Sequence, residues 1–394
     1  MSYTPSLKTN SRIDVADILR GFAIGGIVLI HFIEQLNFYK FPEASSEFMA
    51  SLNQSVFDSI FFMLASKMYA IFSMLFGLSF FIQHDNQAQQ GKDFRLRFMW
   101  RMVLLFLWGI FDLLFYNGDI LTVYAVCGLF VLPFIRANNK VLIAAIIFFA
   151  LQPIELFYII KGTIDPATQS LNLGSSELFD SIMPAQENGN IVDVAVAGIR
   201  YGFPVNFTWA IEHGRMTQTI FLFLLGIYLG RKRLFYDEGN NIEIWKKILI
   251  GSLCSFIVLY TLYDAVDNVA VSSNCVHDSL DVMLNMWKNL SMMLCYVSGI
   301  VLLYYRTSAR GFLSKIAPYG KMSLTNYLSQ SIIGGFVFYN WGLGMYRHSG
   351  HLSSLFLGVL CIALQYMFCR WWLKNHSHGP FETIWRKLTW IGKK

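Results

Sequence analysis

Stretches dominated by apolar residues recur along the chain at 15–34, 57–83, 98–116, 119–135, 140–161, 215–231, 246–266, 280–304, 322–341 and 352–373. As helices rising ~1.5 Å per residue, segments of about 17–25 residues cross a hydrocarbon layer of ~30 Å. The pattern therefore predicts an all-α, polytopic transmembrane helical bundle of about ten spans, with residues 1–394 forming a single integral membrane domain. Most of the 31 Lys and Arg residues fall before Arg20 and within 84–101, 136–140, 231–247, 306–321 and 370–394, on alternate sides of the predicted spans. The positive-inside rule then puts both termini in the cytoplasm. On this topology the longest connection, 162–214, is extracytoplasmic. Its second half carries Tyr201, Phe203, Phe207 and Trp209, as an interfacial helix would, and Arg200, Glu212, His213 and Arg215 make it a candidate cap or acceptor region. Residues 375–394 form a cytoplasmic C-terminal tail.

Composition supports the same class. With 55% hydrophobic and 14% charged residues, the chain has more apolar side chains than a soluble domain buries. The net charge of +6 does not imply nucleic acid as a partner, because the basic residues punctuate apolar runs and form no stripe. The first thirteen residues lead into the first span without a small-residue cleavage site, so that span is expected to be retained. The six cysteines offer neither a disulfide framework nor a zinc spacing. His376 and His378 are two apart, off a common helix face, and no metal is expected. Phosphate-loop, serine-elbow and His-Glu-x-x-His patterns are absent.

Candidate chemistry begins inside the first span. Arg20 and His31 bracket ten uncharged residues; at ~100° per residue they share a helix face, ~16 Å apart along the axis. An arginine at mid-bilayer costs ~2.5–3.5 kcal/mol on insertion scales, so such a pair belongs against a protein interior or polar cavity. Lys67 lies far from the cytoplasmic end of the second span, and either lines the cavity of His31 or reaches the outer headgroups. Asp112 and Asp119 flank an outer turn and are candidates for an acceptor site. In the ninth span Ser323, Asn326 and Gln330 share a polar face that either binds helices together or lines the cavity.

Several stretches carry a family resemblance. Arg12-Ile13-Asp14 with Leu19-Arg20-Gly21, Lys67 with Phe72-Ser73-Met74-Leu75-Phe76-Gly77, Gly118-Asp119-Ile120-Leu121, Gly320-Lys321-Met322-Ser323-Leu324-Thr325-Asn326-Tyr327, and Gly379-Pro380-Phe381-Glu382 with Trp385-Arg386 resemble the YeiB-like bacterial inner-membrane proteins, whose C-terminal half is a domain of unknown function. The first helix is similar to that of the transmembrane acyltransferases, the group of acyltransferase family 3 and heparan-glucosaminide acetyltransferase, in which Arg-x(10)-His implies a cytoplasmic acyl-CoA donor. Arg20 and His31 keep both ends of that motif.

The resemblance implies a multi-pass protein of the bacterial inner membrane that moves an acyl group, with acetyl-CoA the expected donor, to a hydroxyl or amine of a glycan, lipid or small-molecule acceptor. Arg20 would hold the donor's phosphates, with Gly21 and Gly25 admitting it or a neighbouring helix. His31 would act as base or nucleophile, and Lys67 would assist at the developing oxyanion. Asp112, Asp119, Asn326 and Gln330 would line the cavity or meet the acceptor. The expected partners are the lipid bilayer, acyl-CoA and the acceptor, with homo-oligomerisation left open. A small-molecule transporter or a noncatalytic membrane receptor is the alternative, although no internal repeat is evident and, of the nine prolines, all but Pro133 and Pro153, near span ends or partway along the fifth span, fall outside the span interiors.

Overall fold

A computed structural model describes residues 12–266 and 273–391. Among the described residues the chain is helical with no strand. The helices are α1 (Asp14–Ile33), α2 (Glu47–Leu64), α3 (Lys67–Ala88), α4 (Arg95–Asp112), α5 (Leu121–Val131), α6 (Asn139–Ala150) and α7 (Pro153–Ile164). Then come α8 (Ser175–Asn188), α9 (Ile191–Ala197), α10 (Phe203–Glu212), α11 (Arg215–Arg231), α12 (Asn241–Val266) and α13 (Asn274–Arg306). The chain ends with α14 (Arg310–Leu313), α15 (Ala317–Lys321), α16 (Ser323–Phe338), α17 (His351–Trp372) and α18 (Pro380–Thr389).

The apolar stretches of the sequence all fall on helices, although 57–83 is divided between α2 and α3 and 140–161 between α6 and α7, and the protein is a helical membrane protein. The count of about ten spans is not reached by length and apolarity together. Among the described residues five helices qualify, α1, the α2–α3 unit, α12, α13 and α17, or six if the bent α6–α7 pair is one span. The remaining stretches fall short for visible reasons: α5, α11 and α16 have 11, 17 and 16 residues, and α4 carries Arg95, Arg97 and Arg101 in its first two turns.

Local chemistry explains the helix ends. Ser46 caps α2 by accepting from Met49 N at 3.3 Å, Asn138 caps α6 through Val141 N at 2.8 Å, and Asn190 with Asp193 forms a capping box on α9. The α6–α7 bend of 50° falls where Gln152 is left-handed and Pro153 opens the next helix. Another left-handed residue, Ser66 at φ 66°, separates α2 from α3.

α1 is the hub, with Val15, Ile18, Leu19, Ile24 and Val28 fully buried and α3, α15, α16 and α17 packed around it. Two crossings are close enough to require glycine. A Cβ on Gly320 would stand 1.9 Å from the Asp17 carbonyl oxygen, so α15 lies directly on α1. Where α3 meets α11, a Cβ on Gly77 would stand 2.1 Å from Phe223 O, and one on Gly226 2.0 Å from Met74 O. In contrast, α12 is almost wholly exposed, as a lipid-facing helix is. Helices α8 to α10, from the 162–214 connection, fold together beside α5 and α11 at the His31 end of α1. The 375–394 segment is a packed element as far as Ile391: α18 lies against α4 and α16 at the Arg20 end.

Candidate functional site

Arg20 and His31 open into two different cavities. The one at Arg20 has a volume of about 560 Å³, includes Asp17 and Glu382 in its lining, and draws its Arg and Lys side chains from four places in the chain. These are Arg12 and Arg20 at the start of α1, Arg101 of α4, Lys321 at the end of α15 and Arg386 of α18. Asp17 organises the α1 pair, accepting from Arg20 Nη1 at 2.7 Å and Arg12 Nε at 2.8 Å, and Arg20 Nη2 donates to Ser79 Oγ at 2.6 Å. Arg101 lies 4.3 Å from the Trp385 ring, and Arg386 donates to His378 Nε2 at 2.7 Å. Burial, then Arg386 and Arg12, hold the His378 imidazole below its usual range. Glu382 ties α18 to the bundle by capping α16: its carboxylate accepts from Leu324 N at 2.7 Å, Thr325 N at 3.0 Å and Thr325 Oγ1 at 2.5 Å. Burial nonetheless pushes that carboxyl up.

The cavity at His31 has a volume of about 660 Å³. Beyond His31 the backbone makes a left-handed turn in which Gln35, Leu36, Asn37 and Tyr39 all have positive φ, none of them glycine. Such a run is costly and persists only where its surroundings hold it. Glu34 is the fastening, accepting from Asn37 Nδ2 at 2.8 Å and Tyr39 OH at 2.6 Å, while Gln35 Nε2 donates to Ser349 O at 2.7 Å and Tyr339 OH to Leu36 O at 3.0 Å. Tyr116 donates to Asn37 Oδ1 and sets its ring 4.9 Å from the imidazole of His31. The Nδ1 of His31 is buried without a hydrogen-bond partner. Lys67 lines this same cavity; its Nζ donates to Phe62 O at 2.7 Å. The roof comes from α8 and α10 through Phe179, Met183, Asn206 and Trp209.

Phe72, Tyr124 and Tyr327 line both cavities and form the septum between them. Tyr124 OH is fixed by Ser73 Oγ at 2.5 Å and Tyr69 O at 3.2 Å, and Tyr327 OH accepts from Ile120 N at 3.2 Å. Phe72 packs on Tyr124 with ring centroids 6.2 Å apart, so it is the septum residue without a hydrogen-bond anchor.

Other residues singled out by the sequence are placed differently. Asp119 lines the His31 cavity, and its carboxylate also accepts from Leu121 N at 2.9 Å and Thr122 N at 2.8 Å, holding the first turn of α5. Asp112, Asn326 and Gln330 line neither cavity. Asp112 is buried behind the α4–α5 turn with both oxygens unpartnered. Asn326 joins helices, donating to Tyr319 O at 2.9 Å and meeting Cys369 Sγ at 3.4 Å, while Gln365 Nε2 donates to its carbonyl at 2.9 Å. Gln330 neighbours His31, but neither of its amide atoms makes a regular hydrogen bond. Gly21 serves helix approach: a Cβ there would meet Ile316 O at 2.8 Å. At Gly25 the nearest neighbour of an added Cβ is Tyr319 at 3.9 Å, which leaves that face open. Arg200, Glu212 and His213 line neither cavity, whereas Arg215 lines the His31 cavity. Among the described residues no three His, Cys, Asp or Glu side chains gather as a metal site.

Residues 12–172, which carry Arg20, His31, Lys67 and the α4–α5 turn, match the family profile of the heparan-alpha-glucosaminide N-acetyltransferase catalytic domain. Residues 229–392 match a protein family of unknown function, DUF418. A 74-residue segment is 38% identical to the uncharacterized protein YeiB of Escherichia coli, covering 19% of each chain. These profile matches and relatives together support a YeiB-like family that resembles the heparan-glucosaminide acetyltransferase catalytic type. Two further relatives align almost end to end: the uncharacterized protein YxaH of Bacillus subtilis, 28% identical over 99% of this chain and 97% of its own, and an uncharacterized 39.9 kDa protein of the amylase 3' region of Bacillus acidopullulyticus, 27% identical over 98% and 95%. The profile match over 12–172 supports an acetyltransferase-like membrane protein at the level of the family.

Proposed function

We propose that the protein is a membrane-embedded acyltransferase that takes acyl-CoA into the Arg20 cavity and transfers the acyl group past the aromatic septum to an acceptor held at His31. What supports acyl transfer is the joining of two cavities at Phe72, Tyr124 and Tyr327, one lined by Arg20 with four further cations and the other holding the buried imidazole of His31, whose Nδ1 has no hydrogen-bond partner. Phosphate groups bind guanidinium through paired, charge-assisted hydrogen bonds, and Arg20 and Arg101, which line this cavity, would supply them. From Arg20 the donor's flexible arm follows α1 for ~16 Å to His31. There the acceptor hydroxyl or amine attacks the thioester carbonyl while His31 accepts its proton. The new C–O or C–N bond forms, the C–S bond breaks, and the proton returns to the leaving thiolate. Lys67 stands by to balance the oxyanion.

The topology that serves this chemistry has both termini and the Arg20 cavity in the cytoplasm, where the positive charge concentrates, and the His31 cavity on the far side of a bacterial inner membrane. About ten crossings follow if α4, α5, α11 and α16 also traverse the bilayer. Reporter fusions at Asn172 and at the C-terminus, falling on opposite sides, test that arrangement. Two cavities with a closed aromatic septum are also what an occluded transporter presents, and acyl transfer separates the two. His31→Ala should lower release of CoA thiol by 10²–10⁴-fold, the usual contribution of a general base, with donor binding retained. Full turnover in His31→Ala would remove the imidazole from the chemistry.

A further inference from the structure

Three cations from three helices converge on the His31 cavity: Lys67 at the start of α3, Arg215 at the start of α11 and Lys288 in α13. Lys67 lies within Coulombic range of both Arg215 and Lys288, while Glu34 lies within that range of Arg215 and Asp281 of Lys288. The close partners of the three cations are all neutral. Lys67 Nζ donates to Phe62 O at 2.7 Å, Arg215 Nη2 donates to Ser66 Oγ at 2.5 Å and Nη1 to Gln218 Oε1 at 3.3 Å, and Lys288 Nζ lies 3.4 Å from the centre of the Tyr263 ring. Among the described residues none of the three forms an ion pair, although Glu34 and Asp119 line the same cavity. Those two carboxylates are already occupied, Glu34 by Asn37 and Tyr39 and Asp119 by two backbone amides, and they come from the α1 end and the α4–α5 turn.

Gathering three like charges in a largely dry protein interior is unfavourable unless something of opposite sign joins them. Structural salt bridges would have supplied that partner within the chain, as Asp17 does for Arg20 and Arg12 at the other cavity. Here, among the described residues, no carboxylate stands at ion-pair distance from the three, Glu34 and Asp281 acting on Arg215 and Lys288 only at longer range.

We propose that the His31 cavity binds a phosphate-bearing molecule, its phosphate held by Lys67, Arg215 and Lys288. A carboxylate would neutralise one of the three cations, whereas a phosphate brings more charge and more acceptor oxygens and matches the fork of Arg215. If the acyl-transfer proposal holds, this molecule is the acceptor: the cations fix its phosphate and leave its hydroxyl or amine to His31. The phosphate belongs either to a lipid headgroup entering from the bilayer or to a soluble phosphate ester.

Binding is measured on the full-length protein without acyl-CoA, so that it does not depend on turnover. One arm uses glycerol 3-phosphate against glycerol with the protein in uncharged detergent. The other uses nanodiscs containing phosphatidylglycerol against uncharged glucosyl diacylglycerol, read by native mass spectrometry. Lys288→Gln is the primary variant, because Lys288 is only half-buried; Lys288→Arg keeps the charge. Losing one charged contact to phosphate should weaken binding about tenfold or more in Lys288→Gln, with Lys288→Arg close to wild type. Retained stabilisation of Lys288→Gln by acetyl-CoA at the distant Arg20 cavity reports that the variant is folded, and where acetyl-CoA has no effect on wild type an unchanged melting temperature serves instead. Preference for glycerol 3-phosphate identifies a soluble ligand, and preference for phosphatidylglycerol alone a lipid; both support the site. Equal binding of charged and uncharged probes, or equal binding by wild type and Lys288→Gln, overturns it. Should a phosphate probe bind while no acyl-CoA does, acyl transfer fails and the anion site stands; the reverse result removes the anion site and leaves acyl transfer intact.

Discussion

Replacing Gly226 by alanine strikes the crossing on which both cavities depend. The added Cβ would lie 2.0 Å from Met74 O and 2.7 Å from Leu78 N, both backbone atoms of α3 that cannot rotate away. Restoring an ordinary contact of about 3.4 Å means moving α3 and α11 apart by ~1.4 Å, and overpacking of this kind costs ~1–3 kcal/mol or more. Because α3 begins with Lys67 and α11 with Arg215, the same displacement opens the His31 cavity. Gly77→Ala meets Phe223 O at 2.1 Å across the same crossing, so one displacement relieves both clashes and the double variant should cost less than the two singles added together. The control is Gly251→Ala, on the exposed face of α12 with nothing within 4 Å of the new Cβ, where alanine's better helix propensity is neutral to stabilising. Thermal unfolding in one detergent compares the set. Gly226→Ala should melt several degrees below wild type, about 3 °C or more, and Gly251→Ala at or above it. If the two melt alike, α3 and α11 do not approach as closely as described.

Other consequences follow from single groups. Phe72→Ala removes the septum side chain that lacks a hydrogen-bond anchor, and should raise acceptor-independent hydrolysis of acyl-CoA by letting water pass between the cavities; thiol release without acceptor measures it. Asp93, outside the membrane helices, bonds to Arg95 Nη2 at 2.8 Å and lies 3.3 Å from Arg136; the Arg95 hydrogen bonds chiefly hold its carboxyl down at about 2. Because that pKa is depressed in the fold, the stabilisation is present above the unfolded value of ~3.9 and lost as pH falls toward 2. The stability difference between wild type and Asp93→Asn should therefore be visible near pH ~5 and close in stronger acid, a small effect since the pair is solvent-exposed.

How much the sequence could reveal depended on whether the signal was local. The apolar runs are local, and all became helices. The break at Ser66 gave no sign, because the runs on either side contain neither proline nor glycine before Gly77 and the left-handed residue is a serine. Lys67 stood out as a charge far from the cytoplasmic end of an apolar run, and the structure sets it in the His31 cavity. Glu34 was missed although it follows His31 by one helical turn, since an acid at the end of a span reads as headgroup-facing and the turn after it lacks glycine. Arg101 was legible only as a marker of membrane orientation, and Arg12, Lys321 and Arg386 as that and as parts of the stretches that carry the family resemblance; their meeting around one cavity is a long-range result of folding α18 back on α4 and α16. The polar face of α16 had the right spacing, yet Asn326 spends its hydrogen bonds on Tyr319 and Cys369 and serves helix packing.

Acetyl-CoA binding to wild type and Arg20→Ala, followed by thermal stabilisation, decides most about the proposed donor site. Arg12 still pairs with Asp17 in the variant, so the cavity should survive the loss of Arg20. A donor at a hundred times its dissociation constant stabilises the native state by ~2.7 kcal/mol. Loss of a charged phosphate contact worth ~1.5–3 kcal/mol should weaken binding roughly 10- to 150-fold and remove about half to nine-tenths of that shift. A clear shift in wild type that is cut by about half or more in Arg20→Ala is the expected result. No stabilisation by acetyl-CoA or longer acyl-CoAs, or an equal shift in both proteins, would contradict a donor site at Arg20.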